Sequence, residues 1–270
     1  MSDQSVLVYK VEGKESAYPR ISSDGTKILY QSNQHGPWQL MMYDMTTQMH
    51  TPLTNDVFNN NFPDWSADNQ WVAFTSDRDG NEDIYIMMAD GSKLKRITDD
   101  PGRDIHPYFS PNGKYLLFNS TRGNGSFDIY RYDLNTGRIL RLSDTPADET
   151  CARYSPDMQH ILYLKNDASS DDIFLADSLN QSAKNLTNTP VMRDGWPAFD
   201  HTGRYIYYSA MPSGHYCIYR MNFQGKEVTQ LTSGGPMTED ARVSVAPDLS
   251  FLVFNRRIGT TIEIRKLHLG

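Results

Sequence analysis

Apolar and polar positions along this chain alternate in short runs that recur at a nearly fixed distance. Lys27-Ile28-Leu29-Tyr30 and Tyr115-Leu116-Leu117-Phe118 each follow a tight turn and close on an aromatic ring. The arrangement occurs six times. Its turns begin at Ser22, Ser66, Ser110, Ser155, Asp200 and Ala246, in steps of 44, 44, 45, 45 and 46 residues. Short apolar and aromatic runs bounded by Asp, Asn and Gly read as strands. A strand-built period in the forties is the mark of a β-propeller.

Each repeat predicts four strands. The first carries Tyr18-Pro19, Phe62-Pro63, His106-Pro107 or Trp196-Pro197 and leads into the turn. Asp24-Gly25, Asp68-Asn69 and Asn112-Gly113 supply the positive φ that a tight hairpin needs. The second strand is expected to end at Tyr30, Phe74, Phe118, Tyr163, Tyr208 or Phe254, and the third centres on Leu40, Ile84, Ile129, Ile173, Ile218 or Ile264. The fourth ends at Leu53-Thr54, Ile97-Thr98, Leu142-Ser143, Leu186-Thr187 or Leu231-Thr232. There are five such endings for six repeats, and a spare strand, Val6–Lys10, precedes the first. Pairing it with the last repeat closes the ring and removes open edges. The expectation is an all-β, six-bladed propeller of four-stranded blades, the last shared by both ends of the chain. Residues 1–270 form one domain in this reading, with repeats from about 17, 61, 105, 150, 195 and 241.

Composition narrows function only a little. A net charge of −7 argues against a general nucleic-acid binder, which needs a basic footprint. No apolar run approaches the ~18 residues of a membrane-spanning helix. The start, Met1-Ser2-Asp3-Gln4-Ser5, lacks the features of a signal peptide, so the sequence as given reads as cytoplasmic, or periplasmic if a leader was removed. A closed ring has no edge to protect, which favours a monomer. The two cysteines, Cys151 and Cys217, read as buried thiols, with a disulfide as the alternative.

Aligning the repeats exposes candidate chemistry. Six residues before each turn stand Ser16, Asn60, Asp104, Glu149, Asp194 and Asp240. Two residues later stand Tyr18, Phe62, His106, Cys151, Trp196 and Arg242, with Arg153 just inside the next strand. One reading is a polar channel mouth formed by Asp104, His106, Glu149, Arg153, Asp194, Trp196, Asp240 and Arg242, which binds a partner or a divalent cation such as Ca or Mn. In that reading Asp104, Asp194 or Trp196 can be changed to Ala without harm to folding. The other reading has each carboxylate tied to its own turn. Asp77-Arg78-Asp79-Gly80-Asn81-Glu82-Asp83 is rich in oxygen ligands but lacks EF-hand spacing, and pairing of Arg78 with Asp83 and of Arg122 with Asp128 accounts for it. No GxSxG, HExxH, P-loop or GxGxxG motif occurs. Trp38, Met41, Met42, Met45 and Met49 form a second binding candidate or, alternately, interblade packing.

Trp65-Ser66-Ala67-Asp68-Asn69, Phe109-Ser110-Pro111-Asn112-Gly113 and Tyr154-Ser155-Pro156-Asp157 resemble the aromatic-Ser-Pro-Asp-Gly core of the TolB-type, WD40-like propeller repeat. Phe74-Thr75-Ser76-Asp77-Arg78-Asp79-Gly80 with Asp83-Ile84-Tyr85, and Leu94-Lys95-Arg96-Ile97-Thr98, resemble its later parts. The likeness covers residues 17 to 266. In that family the Tol–Pal envelope members carry a separate α/β domain and bind the lipoprotein Pal through the propeller. Other members stand alone, serve as non-catalytic domains of prolyl-oligopeptidase-type peptidases, or form oligogalacturonate lyases. The resemblance therefore implies a non-catalytic module that binds a protein or peptide at the channel mouth, without a cofactor. The alternative is a metal-dependent lyase or hydrolase on an anionic saccharide, with His106 and the acids holding the metal and Arg153 or Arg242 engaging a substrate carboxylate.

Overall fold

In five of its six occurrences the recurring turn is tied by the side chain of its own first residue. The hydroxyls of Ser22, Ser66, Ser110 and Ser155 donate to Asp24, Asp68, Asn112 and Asp157 at 2.5–2.8 Å. The same oxygens accept the N–H groups of Lys27, Trp71, Tyr115 and His160, five residues on. Asp200 does this work with its carboxylate, accepting from the N–H groups of Thr202 and Arg204. A left-handed residue follows in every turn: Gly25, Asn69, Gly113, Met158, Gly203 and Leu249. Met158 and Leu249 bear a strain of about 1–2 kcal/mol there that Gly does not.

The fourth strands stop at Pro52, Arg96, Arg141, Asn185 and Gln230, two residues short of the expected Thr or Ser, which has an equally local cause. Thr54, Thr98, Ser143, Thr187 and Thr232 accept the N–H of Leu40, Ile84, Ile129, Ile173 and Ile218 at 2.8–3.0 Å. These backbone donors sit at the start of buried third strands, where an unpaired N–H costs about 1–3 kcal/mol.

The computed structural model describes residues 4–166, 170–189, 193–235 and 237–269. Six four-stranded antiparallel sheets are arranged in a ring. The inner strands are Ser16–Ile21, Asn60–Trp65, Asp104–Phe109, Asp148–Tyr154, Asp194–Phe199 and Thr238–Val245, and they define blades 1 to 6. Val6–Tyr9 pairs antiparallel with the last strand, Thr261–His268, and completes the sixth sheet as expected. The second strands do not stop at their aromatic residue. Those of blades 1 to 3 run on to Ser32, Ser76 and Ser120, because the third strand keeps its register that far.

The core lies between blades. Leu29 and Leu40 of blade 1 pack on Trp65, Val72, Phe74, Tyr85 and Met87 of blade 2. Leu117 and Ile129 of blade 3 pack likewise on Ala152, Tyr154, Ile161 and Tyr163 of blade 4. Middle strands covered on both faces explain the near-continuous apolar runs, and each Phe or Leu so buried contributes about 1.5–3 kcal/mol. In blade 1, Met41 is buried, Met42 and Met45 are partly buried, and Met49 is exposed, which is interblade packing by alternate members. Cys151 and Cys217 are both free and buried.

One feature of the inner strands departs from a simple ladder. Each breaks register once, between Ala17 and Arg20, Asn61 and Asp64, Ile105 and Tyr108, Thr150 and Arg153, Gly195 and Ala198, and Ala241 and Ser244. At every break a non-glycine residue holds φ between 48° and 59°: Tyr18, Phe62, His106, Cys151, Trp196 and Arg242. In four blades the next residue is proline, which has no N–H to give to a ladder and so fits a bulge.

The expected pairs of Arg78 with Asp83 and Arg122 with Asp128 do not form. Asp83 pairs with Arg96 and Asp128 with Arg141, each at 2.6 Å, from the fourth strand of the same blade. Arg78 turns instead to Asp56 and Asn60, and Arg122 to Asp104. An arginine leaving the second strand thus reaches the start of the inner strand, while the fourth strand serves the third.

Candidate functional site

The channel is built by the six inner strands, and its residues fall into three levels. The upstream level holds the aligned carboxylates, and three of these are spoken for. Asp104 meets Arg122 at 2.6 Å, Glu149 meets Lys165 at 3.2 Å, and Asp240 meets Arg256 through two bonds of 2.6 and 2.7 Å. Asn60, at the same position in blade 2, accepts from Arg78 at 2.8 Å. The cation stands 16 or 18 residues downstream each time, on or just past the second strand of the same blade. Asp194 differs. Its second-strand counterparts are Ala210 and Pro212, and its carboxylate accepts from the Thr189 hydroxyl. Burial, opposed by the hydroxyls of Thr187 and Thr189 and reinforced by Asp172 and Asp171, pushes its pKa up to about 6. Among the described residues no group of three or more His, Cys, Asp or Glu side chains could hold a metal ion.

The middle level is the ring of left-handed residues. Phe62 and His106 lie 4.1 Å apart between ring centres, and Tyr18 packs edge-on to Phe62 at 4.8 Å. The Tyr18 hydroxyl is 3.4 Å from Nε2 of His106. On the other side the Arg242 guanidinium lies between the rings of Tyr18, at 4.2 Å, and Trp196, at 4.3 Å. Tyr216 stands edge-on to Trp196 at 5.3 Å. The bulges cause this convergence, because a positive φ swings six consecutive blades' side chains to the same height. Burial, and then the charges of Arg242, Arg20, Arg153 and Arg103, push the His106 pKa down to about 3. His106 is therefore a neutral imidazole at neutral pH.

The level nearest the turns carries Arg20, Asp64, Tyr108, Arg153, Ala198 and Ser244. All six line a cavity of about 320 Å³ that reaches the turns at Ser23, Ser66 and Ser110. Arg20 is buried and lies 3.6 Å from Asp64. It donates to the Tyr108 hydroxyl at 3.1 Å, while Arg153 lies over the Tyr108 ring at 4.3 Å.

The residues singled out in the sequence are therefore divided. Asp104, Glu149 and Asp240 face cations of their own blades. His106, Trp196 and Arg242 meet in the aromatic ring. Asp194 stands in a cleft with Leu186, Tyr208 and Tyr219 on the flank of blade 5, and Arg153 belongs to the turn-side cavity. Arg20, Asp64 and Tyr108 were missed. The signal was available, since the position four residues past the aligned carboxylates is polar or aromatic in five of the six repeats.

Comparison with known proteins agrees with this architecture. A family profile described as the TolB beta propeller domain matches residues 6–191. The Tol-Pal system protein TolB of Bordetella pertussis is 33% identical over 118 residues, which is 43% of this chain and 27% of that protein. The crystal structure of TolB from Acinetobacter baumannii superposes with a TM-score of 0.71 at 26% identity, over 81% of this chain and 54% of that one. A putative TolB from Agrobacterium tumefaciens gives 0.77 at 18% identity, over 97% and 93%, a likeness of fold. The chain thus spans about a quarter of the Bordetella relative's length and about half of the Acinetobacter structure. With 186 of its 270 residues inside the matched span, this chain belongs to the TolB β-propeller domain family.

Proposed function

We propose that this propeller is a non-catalytic binding module that takes a protein or peptide partner through the channel mouth, at the aromatic ring where Trp196, Tyr216 and Arg242 meet. The observation that carries the reading is the arrangement of Arg242. Its guanidinium is held between Tyr18 and Trp196, half-buried, and its Nε has no hydrogen-bond partner. Aromatic and arginine side chains at a concave centre are the groups that most often dominate a protein interface. They are pre-ordered here by backbone bulges, so binding costs little side-chain entropy. The names of the relatives, which place them in the Tol-Pal system, support a partner of protein nature.

The test is affinity purification from cell extract followed by measurement with the isolated partner. Trp196→Ala and Arg242→Ala should each weaken that partner by tenfold or more, about 1.4 kcal/mol. A surface change far from the channel, Lys95→Ala, should leave it alone. Equal affinity across all three variants would refute the assignment.

A further inference from the structure

We infer that the cleft at Asp194, where blade 5 meets the end of blade 4, is a binding site for a guanidinium group, carried by an arginine side chain or by a free small molecule. It uses side chains other than those of the proposed partner surface and does not depend on that reading. Its precedent lies in the neighbouring blades. Blades 2, 3 and 4 each set an aromatic ring of the second strand beside one of the third: Phe74 with Tyr85, Phe118 with Tyr130 and Tyr163 with Phe174, with ring centres 5.6–5.9 Å apart. A cation of the same blade lies over that pair and reaches the polar residue near the start of the inner strand. Arg122 is 5.2 Å from the centres of both Phe118 and Tyr130 and 2.6 Å from Asp104. Arg78 is 5.8 and 5.0 Å from Phe74 and Tyr85 and donates to Asn60 at 2.8 Å. Lys165 is 5.8 Å from Phe174 and 3.2 Å from Glu149.

Blade 5 keeps this receptor and lacks its cation. Tyr208 and Tyr219 stand opposite one another with ring centres 5.8 Å apart, and Asp194 opens the inner strand. Ala210 and Pro212 occupy the positions of Lys165 and Arg122. A cavity of about 250 Å³ is lined by Asp194, Tyr208, Ala210, Pro212 and Tyr219, together with Thr187 from the end of blade 4, and among the described residues no arginine, lysine or histidine lines it. The negative charge beside it is not balanced. The Thr189 hydroxyl is 3.2 Å from Asp194 and 3.4 Å from Asp172, and its one proton cannot serve both carboxylates. Asp172 receives only neutral donors otherwise, among them Asn185 at 2.9 Å and Ser170 at 3.1 Å. Arg193 is exposed and faces Asp171 at 3.9 Å, and Lys184 is turned to the carbonyl of Gln224. A carboxylate that is 3% exposed and two aromatic rings are thus set as they are around Arg122, with a cavity beside them. A guanidinium supplies the charge, the hydrogen bonds and the flat face that such a site takes. A cavity of this size holds one such head group with its stem.

The experiment is isothermal titration of the full chain at pH 8, where Asp194 is ionised. One probe is N-acetylarginine methylamide, an arginine as a peptide presents it; the other is ethylguanidinium, a free small cation. Either should bind one-to-one, and the one that binds more tightly identifies the source. Asp194→Asn removes the charge and keeps the shape, and should weaken that probe by about tenfold or more. Pro212→Arg supplies a cation of the chain's own at the spacing of Arg122 and should abolish binding. If Pro212→Arg does not fold, Asp194→Asn carries the test. The inference is overturned if neither probe binds at about 50 mM, or if either folded variant binds as the parent does.

Discussion

Replacing Asp194 with Asn should stabilise this protein, and the gain should depend on pH in a defined direction. Every other acidic residue at this aligned position has a cation of its own blade within 3.2 Å: Arg122, Lys165 or Arg256. Blade 5 offers Ala210 and Pro212 instead. The neighbouring blade makes matters worse. Asp172 receives Asn185 at 2.9 Å where Asp83 and Asp128 receive arginines, and it adds negative charge beside Asp194. Asp194 is only 3% exposed, so water does little to offset this. Its folded pKa of about 6 exceeds the ordinary value of 3.8. The folded state therefore holds the proton more tightly than the unfolded state does. The penalty is absent below about pH 4, grows as pH rises through the folded pKa, and is complete above it. A shift of about two pH units corresponds to roughly 3 kcal/mol. Asn keeps an acceptor for the Thr189 hydroxyl and carries no charge. Urea unfolding should show Asp194→Asn more stable than the parent by about 2–3 kcal/mol near pH 8, with the gap closing near pH 4. A variant less stable at pH 8, or a gain that does not change with pH, would refute the reasoning.

Three further outcomes are expected. Asp240→Ala removes the carboxylate that holds the buried Arg256 guanidinium through two bonds and should cost about 3–5 kcal/mol in urea unfolding; Asp104→Ala should behave in the same way against Arg122, contrary to the expectation from sequence that folding is indifferent to it. Thr98→Val removes the acceptor for the Ile84 N–H and a donor to Asp83, and should lower stability by about 1–3 kcal/mol without a change in the slope of the denaturation curve. His106 should stay neutral from pH 8 to below pH 5 in nitrogen-detected NMR. Its lowered folded pKa also makes the imidazole a source of lost stability as pH falls below about 6.5. Titration of His106 near pH 6 would contradict the buried, arginine-flanked placement.

The ring of blades could be read from the sequence because its causes are local and repeat. A serine that ties a turn, a glycine or asparagine at positive φ, and a threonine that receives a third-strand N–H each leave a residue type at a fixed spacing. The closing strand could be read from a missing fourth-strand ending. The carboxylates were recognised as a set, but their direction was not. Whether Asp104 faces the axis or Arg122 depends on an ion pair across 18 residues, and such pairs follow from strand register and not from spacing alone. The bulges were hidden for a different reason. Tyr, Phe, Cys, Trp and Arg carry no preference for a left-handed backbone, and only His106 and the prolines after four of these positions point to a broken ladder.

The pairing of Val6–Tyr9 with Thr261–His268 sets a timetable for the molecule. The first strand is synthesised some 250 residues before its partner. At about 5–20 residues per second, some 10–50 s separate the two. Through that interval blades 1 to 5 can form in turn, each on the one before. Val8 and Tyr9, which finally pack against Tyr30, Met41 and Ile264, have no final seat until the last strand arrives. The nascent propeller thus passes that interval as an open arc with apolar margins, and it is in that window that aggregation or a chaperone competes with closure.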